Sequence, residues 1–387
     1  MIEKVQFRNF KAYRSLDLDL EPFTVLVGPN ASGKTTLLEG LRVLATRAFL
    51  MSPHAPFLGG IPAKHRSFGS GQAIELMFQG RWANITGEVR LQEESEPGAS
   101  SKPGTAAHEP PARWTAKALA DPPASPGVAV RGSRYKPPAE VRSAWQATSI
   151  LRFEPRRLAQ ASYSDEDIPR VASDGAGLAS ALAYLKLSHE ESFSEIESAL
   201  RRVVPAVRRI RIERAAVEQS SLRTIALDEQ KTQVAERRTL WGNRIILDMQ
   251  GAKGVPADSA GEGTLMVLGL LTVLMAPQKP RLLLLDDIEL SLHPVAQGTL
   301  IGVLRAIQKN DPELQIVATS HSPFILNYLE AKEIRMTFLA ENGFARCEKL
   351  TAHPEFEKWK DLMSPGEFWS TVGENWIGKV PASAPHE

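Results

Sequence analysis

Eight consecutive residues, Gly28-Pro29-Asn30-Ala31-Ser32-Gly33-Lys34-Thr35, satisfy the pattern G-x-x-x-x-G-K-[ST] in full, and each fixed position has a chemical reason. Glycines let the backbone turn its N–H groups inward around phosphate oxygens. The lysine reaches the outer phosphates, and the hydroxyl of Thr35 can ligate Mg²⁺. Thr36 continues the same stretch. A triphosphate site also needs a group opposite the loop, and Arg281-Leu282-Leu283-Leu284-Leu285-Asp286-Asp287 is an apolar strand ending in two acids. Ligands of open α/β sheets bind beyond the carboxyl ends of strands, so Asp286 is expected to hold the Mg²⁺ and its water. Two more stretches carry chemistry-bearing residues: Asp258-Ser259-Ala260-Gly261-Glu262-Gly263 before a long apolar run, and Thr319-Ser320-His321-Ser322-Pro323 after the run QIVA.

The elements around these residues are the ones such a site needs. Ile2, Val5 and Phe7, then Leu16, Leu18 and Leu20, then the run at 24–27 read as three short strands leading to the glycine turn. Leu37, Leu38, Leu41 and Leu44 then fall on one helical face. From residue 265 the pattern is helix, buried strand, helix, buried strand, helix, which means a parallel sheet covered on both faces. In between, 74–91 reads as a hairpin, 148–153 as a strand, 174–203 as helical until Pro205, and strands are expected from 207, near 222–227 and at 244–249. Residues 93–140 are dense in Pro, Gly, Ala and Ser, a composition that buries too little apolar surface to order itself, and are expected to form a mobile excursion.

Composition narrows the classes. In 387 residues, 46 Lys+Arg against 45 Asp+Glu leave a formal charge of +1, so the whole chain offers no electrostatic argument for nucleic acid or a membrane surface. Arg201, Arg202, Arg208, Arg209, Arg211 and Arg214 are the densest basic run; it is either a phosphate-tracking surface or a set of solvated faces, the commoner outcome. One cysteine, Cys347, excludes an internal disulfide and a multi-cysteine zinc site. No apolar run is long enough to span a bilayer and the first residues are charged, so a cytoplasmic protein without membrane partners is expected.

NFKAYRSLDLDLEPFTVLVGPNASGKTTLLEGL, LLLLDDIELSLHP and ATSHSPFIL together resemble the RecF/SMC-like ABC ATPases, and within them the OLD (overcoming lysogenisation defect) ATPases and their stand-alone AAA_21-type relatives. The resemblance implies an α/β P-loop NTPase of ABC type, with a mixed or parallel sheet core and an inserted β-hairpin and helical lobe. Its core would comprise 1–50 and 215–345, the inserted lobe 51–214, and an aromatic-rich tail 346–387 containing Phe356, Trp359, Phe368, Trp369 and Trp376. It implies ATP and Mg²⁺, a catalytic set of Asp287, His321 and Lys34, and a phosphate cradle of residues 28–36. Asp287 stands where the family usually has the Glu that orients water, which bears on hydrolysis rate more than on binding. His321 resembles the switch histidine that contacts the γ-phosphate. Ser259 and Gly261 fit the signature loop in one register, and the stretch 261–265 fits an S-x-G-T-L form in another, with Gly in place of Ser. His293 lies in the loop that crosses the dimer interface, without a second ligand at metal spacing.

In the family, two copies sandwich ATP, so a homodimer or higher homo-oligomer is expected. About sixty residues follow His321, too few for the Toprim domain of OLD nucleases, so any nuclease is expected to be a separately encoded effector. The functional expectation is an ATPase that gates such an effector in phage defence or DNA maintenance. Two other readings stay open: a RecF-like, nucleotide-dependent DNA-binding repair protein, and a slow ATP-sensing scaffold.

Overall fold

The computed structural model describes residues 1–49, 61–82, 85–93, 112–118, 132–134, 137–227 and 230–371. Strands β1 (Ile2–Phe10), β2 (Tyr13–Asp19) and β3 (Phe23–Val27) lead into helix α1 (Lys34–Phe49). Then come β4 (Glu75–Trp82), β5 (Ile85–Gln92), β6 (Ala112–Ala118), β7 (Gly132–Arg134), α2 (Ala139–Gln146) and β8 (Thr148–Leu151). Helices α3 (Pro155–Ala159), α4 (Leu178–Ser188) and α5 (Glu190–Val203) precede β9 (Val207–Leu227), β10 (Gln230–Met249) and β11 (Ala252–Pro256). The chain continues through α6 (Glu262–Met275), β12 (Leu282–Leu285), α7 (Pro294–Asn310), β13 (Gln315–Ser320), α8 (Pro323–Leu326), β14 (Ile334–Leu339), β15 (Ala345–Lys349), α9 (Phe356–Trp359) and α10 (Pro365–Thr371).

Two compact units result. The first takes residues 1–150, 280–289 and 308–387 and contains an antiparallel sheet ordered β2-β1-β4-β5-β6-β7 and a second sheet ordered β15-β14-β3-β13-β12-β8. In the second sheet β14, β3, β13 and β12 run parallel and β15 closes one side antiparallel. Helix α1 buries Leu37, Leu38, Leu41 and Leu44 in a core that joins Phe7, Phe10 and Phe78 of the antiparallel sheet to Leu26, Leu284 and Val317 of the other. Phe7 is held edge-on by Phe10, Tyr13 and Phe78, with centroids 5.6, 6.4 and 6.1 Å away, packing that adds to its area burial. Gly40 is the point where α1 meets this ring: a Cβ there would lie 2.4 Å from Phe7.

The second unit takes residues 151–279 and 290–307. Helix α6, apolar on every side, packs with α5 and α3, and β9 pairs with β10 along nearly their full length. β11 adds only to the end of β10, from Ile246 to Met249.

Several expectations are corrected here. The strands expected near 207, 222–227 and 244–249 are two long strands of one hairpin, because the charges that break the apolar pattern do not break the backbone ladder. Strands β6 and β7 lie within the expected excursion 93–140 and extend the sheet from β5; the rest of that segment up to residue 136, apart from residue 93, falls outside the described residues. The two units are also drawn differently from the expected insertion 51–214, since β4 and β5 join β1 while 151–203 packs in the other unit. The expected helix after QIVATS is one turn, and β14 and β15 follow it in the central sheet, so the tail expected from 346 begins inside a strand. Further on, Phe368 is buried and meets Phe356 and His353 edge-on, while Trp376 lies outside the described residues.

Gly40→Ala is expected to lower the melting temperature. Its gain of about 1 kcal/mol in helix propensity is outweighed by the roughly 1–3 kcal/mol cost of overpacking a ring fixed on three sides. A raised melting temperature would show that α1 does not sit on Phe7 this closely.

Candidate nucleotide site

The parallel register places Val25 of β3 beside Ala318 of β13, and Ala318 beside Leu285 of β12. The chain therefore leaves three neighbouring strands at one edge of the sheet: into the loop at 28–33, into the turn after Ser320, and into the acids after Leu285. Such an edge is where ligands of parallel sheets bind.

The loop is anchored from beneath by β14. Gly28 has φ 154°, and a Cβ on it would lie 2.1 Å from the carbonyl oxygen of Thr337, so no other residue fits. Thr337 Oγ1 donates to Val27 O at 3.0 Å and therefore accepts from Ser32 Oγ at 2.6 Å. Ala31 takes a left-handed conformation at φ 62°, within the turn that leads to α1. Among the described residues, nothing accepts a hydrogen bond from the amides of Gly33, Lys34, Thr35 and Thr36, and the first turn of the 16-residue helix has no acidic residue. The helix itself thus brings no acid to its positive end, and these donors have no protein acceptor among the described residues. Pro29, Asn30, Ala31 and Thr35 are exposed, and Thr36 is half-buried.

Lys34 is buried, and its Nζ donates to the carbonyls of Gly28 and Pro29, both at 2.8 Å. Burial pushes its pKa down, and the charges of Asp287, Asp286 and Glu289 push back up. The loop and the acidic strand end therefore meet in space. Asp287 has its pKa raised, first by burial and then by Asp286 and Glu289, against the opposing pull of His321 and Lys34.

Thr319 organises the acids. Its Oγ1 donates to Asp286 Oδ1 at 2.7 Å and accepts the Asp287 N–H at 2.9 Å, while its carbonyl accepts the Ile288 N–H at 2.9 Å. These bonds hold Asp287 at φ 56°, a left-handed conformation that a non-glycine residue rarely keeps unsupported. His321 Nε2 stands 3.7 Å from Asp287 Oδ1. Glu289, which the sequence pattern did not single out as a site residue, accepts from Ser320 Oγ at 2.8 Å and from the His321 N–H at 2.9 Å. Thr319 and Thr337 were likewise missed. The Asn342-Gly343 pair between β14 and β15, a hairpin signal, could have placed Thr337 on a strand.

Ser259 and Gly261 belong to the second unit, where Ser259 ends a 3₁₀ turn, Ala257–Ser259, and Gly261 is the N-cap of α6. Ser259 is exposed and donates only to Asp258, at 3.1 Å. His293 accepts with its carbonyl the N–H groups of Ala296 and Gln297, which starts α7. Among the described residues, no group of three His, Cys, Asp or Glu side chains could by itself enclose a metal. Magnesium bound to phosphates does not need one, because one or two protein oxygens suffice. In the basic run, Arg201 pairs with Glu197 and Arg211 with Glu213 and Asp248, Arg208 donates to Gln250, and Arg214 stacks on Trp241.

The model of the AAA_21 family, described as "AAA domain, putative AbiEii toxin, Type IV TA system", matches residues 23–327. The chain belongs to this family. As an AAA_21 member it is similar to the DNA replication and repair protein RecF of Arthrobacter sp. (strain FB24), 40% identical over 91 residues, which are 21% of this chain and 23% of that protein. It is also similar to the OLD nuclease of Thermus scotoductus (strain ATCC 700910 / SA-01), 44% identical over 78 residues, 20% of this chain and 14% of the nuclease. The aligned segments thus span less than a quarter of either relative. The crystal structure of the SmcHead bound to the C-winged helix domain of ScpA shares the fold, with a TM-score of 0.52 at 12% identity over 92% of this chain and 99% of that one. The AAA_21 chain has an α/β fold of the kind seen in the SMC head, and its family and relatives resemble the RecF/SMC-like ABC ATPases. None of its described helices is long and apolar enough to cross a membrane.

Thr319→Val removes the hydroxyl while keeping the shape, and is expected to cost about 1–3 kcal/mol of stability by removing a donor to Asp286 and the acceptor of the Asp287 amide. Thr319→Ser should recover most of it. Chemical denaturation checks both, and an unchanged Thr319→Val midpoint would contradict the bonding described.

Proposed function

We propose that this chain binds ATP with Mg²⁺ at the loop 28–36 and hydrolyses it. The observation that carries the reading is the set of unpaired amides at 33–36 around a buried ammonium that faces Asp286, Asp287 and Glu289. These donors fit phosphate oxygens. Three carboxylates beside one ammonium would repel a triphosphate, so the site fits nucleotide only together with a divalent cation. Thr35 and Asp286 would hold that cation, which neutralises charge on the outer phosphates.

Within this reading the chain's own groups do three things. Lys34 moves from its loop carbonyls to phosphate oxygens, exchanging one set of acceptors for a stronger, charged set. Asp287, its proton affinity raised first by burial and then by Asp286 and Glu289, orients the attacking water and draws on its proton. His321, beside Asp287, donates to the outermost phosphate.

Ser259 and Gly261 are proposed to meet the nucleotide of a second copy, so that ATP holds a homodimer closed and hydrolysis releases it. The likeness to an OLD nuclease supports a role in gating a separately encoded nuclease, with phage defence or DNA maintenance as the setting. The likeness to RecF favours a second reading, ATP-dependent DNA binding. Salt-sensitive binding to bare duplex would favour that one, although Arg201 and Arg211 of the basic run already have acidic partners. A slow ATP sensor is the third reading, and restoration of turnover by Asp287→Glu would support it.

Lys34→Ala is expected to weaken ATP binding by about tenfold to a hundredfold, the loss of charge-assisted bonds worth about 1.5–3 kcal/mol. Calorimetric titration checks it, and unchanged affinity would remove the assignment. Asp286→Ala should retain ATP but lose Mg²⁺-dependent phosphate release; full turnover in that variant would reject its role.

A further inference from the structure

The turn that carries His321 has no regular structure of its own to hold it. Strand β13 ends at Ser320, α8 begins at Pro323, and the two residues between them, His321 and Ser322, must place one imidazole against one carboxylate. The His321 side chain is substantially exposed. What the structure supplies instead is Glu289, three residues beyond Asp286. Its two carboxylate oxygens each take one donor of the turn, the Ser320 hydroxyl at 2.8 Å and the His321 N–H at 2.9 Å. Ser320 Oγ in turn accepts the Ser322 N–H at 3.0 Å. One side chain thus ties three successive residues of the turn to the same loop that carries Asp287.

We infer that Glu289 is a positioning residue: it clamps the turn at 320–322 so that His321 is delivered to Asp287 and the outer phosphate, without itself contacting nucleotide. The inference rests on the ATPase reading for its consequence and on the hydrogen bonds alone for its geometry. Thr319, one residue earlier, is committed to Asp286, Asp287 and Ile288. Pro323 and the residues after it belong to a helix of a single turn. A carboxylate accepting a backbone N–H and a hydroxyl makes charge-assisted bonds, stronger than neutral ones and directional enough to fix a turn. The pattern D-D-x-E is local in sequence, but the donors arrive from a strand about thirty residues on, which is why spacing alone did not expose it.

Two variants separate clamping from mere presence of a charge. Glu289→Ala removes both acceptors. Glu289→Gln keeps them in altered form: its amide oxygen can accept the His321 N–H, and its amide nitrogen can donate to Ser320 Oγ, which rotates its proton away. The first readout is hydrogen–deuterium exchange of the amides of 320–322 in the full chain without nucleotide. About tenfold faster exchange is expected in Glu289→Ala, with wild-type protection largely kept in Glu289→Gln. The second is steady-state ATP turnover with separate measurement of ATP affinity. Glu289→Ala should lower kcat about tenfold or more without raising the Kd for ATP more than about twofold, because a small displacement of a reacting group costs rate rather than ground-state binding, and the lost carboxylate charge can only ease the approach of a triphosphate. Glu289→Gln should recover most of kcat.

Unchanged exchange in Glu289→Ala overturns the clamp whatever the turnover does. A loss of ATP affinity with kcat retained also overturns it, since Glu289 would then belong to the binding surface. Failure of the ATPase reading looks different: wild-type chain without Lys34-dependent turnover sinks that reading, while the exchange experiment still decides the clamp.

Discussion

A buried ammonium is the constraint around which this fold is arranged. Lys34 has left water for two backbone carbonyls, and burial pushes its pKa down. Such a group persists only if opposing charge lies close. Asp287, Asp286 and Glu289 provide it from strand β12 and the loop that follows. The geometry that permits this is the parallel register of β3, β13 and β12, which ends three strands at one level. The same arrangement gathers three carboxylates beside one ammonium, which is why the proposed ligand is a polyphosphate together with its cation.

The segment following β12 is the costliest backbone near the site. Asp287, Leu290 and Ser291 all have left-handed conformations, at φ 56°, 48° and 55°. Each such residue costs of the order of 1–3 kcal/mol and persists only where its surroundings over-determine it. Here Thr319 and Glu289 do so on the side of the first unit. In the second unit Gly263, in the first turn of α6, leaves room for the carbonyls of Leu290 and Ser291, each about 3.1 Å from where a Cβ would stand. The strained stretch therefore connects, through the covalent chain, the acid nearest His321 to the loop packed on the start of α6.

The arginines at 201–214 illustrate how charge in a sequence can mislead when its partners are distant. Read linearly they form a basic run. Folded, Arg211 lies between Glu213 on its own strand and Asp248 on the neighbouring one, and Arg244 of β10 joins Glu213 at 2.9 Å. Exposed pairs of this kind contribute little stability, at most about 1 kcal/mol each, and they offset the charge of Arg201 and Arg211, whereas Arg208 and Arg214 meet the neutral side chains of Gln250 and Trp241.

The phosphate loop, its strand and its helix were legible because their determinants are local. Gly28, Gly33 and Lys34 lie within seven residues, and the conformations they require depend on the chain itself. Burial on both faces likewise marked β12 and β13 as Leu-rich and β-branched runs. The sequence by itself thus determined the class of ligand-binding loop and the type of sheet. It did not determine which side chains support them. Thr337 lies beneath Gly28, Thr319 holds Asp286, and Glu289 holds His321 only because parallel strands far apart in the chain end side by side. Likewise β9 and β10 became one hairpin through backbone bonds that no side-chain pattern records. Hydrogen bonds between distant segments carry no periodicity, so their partners emerge only when tertiary packing sets the register.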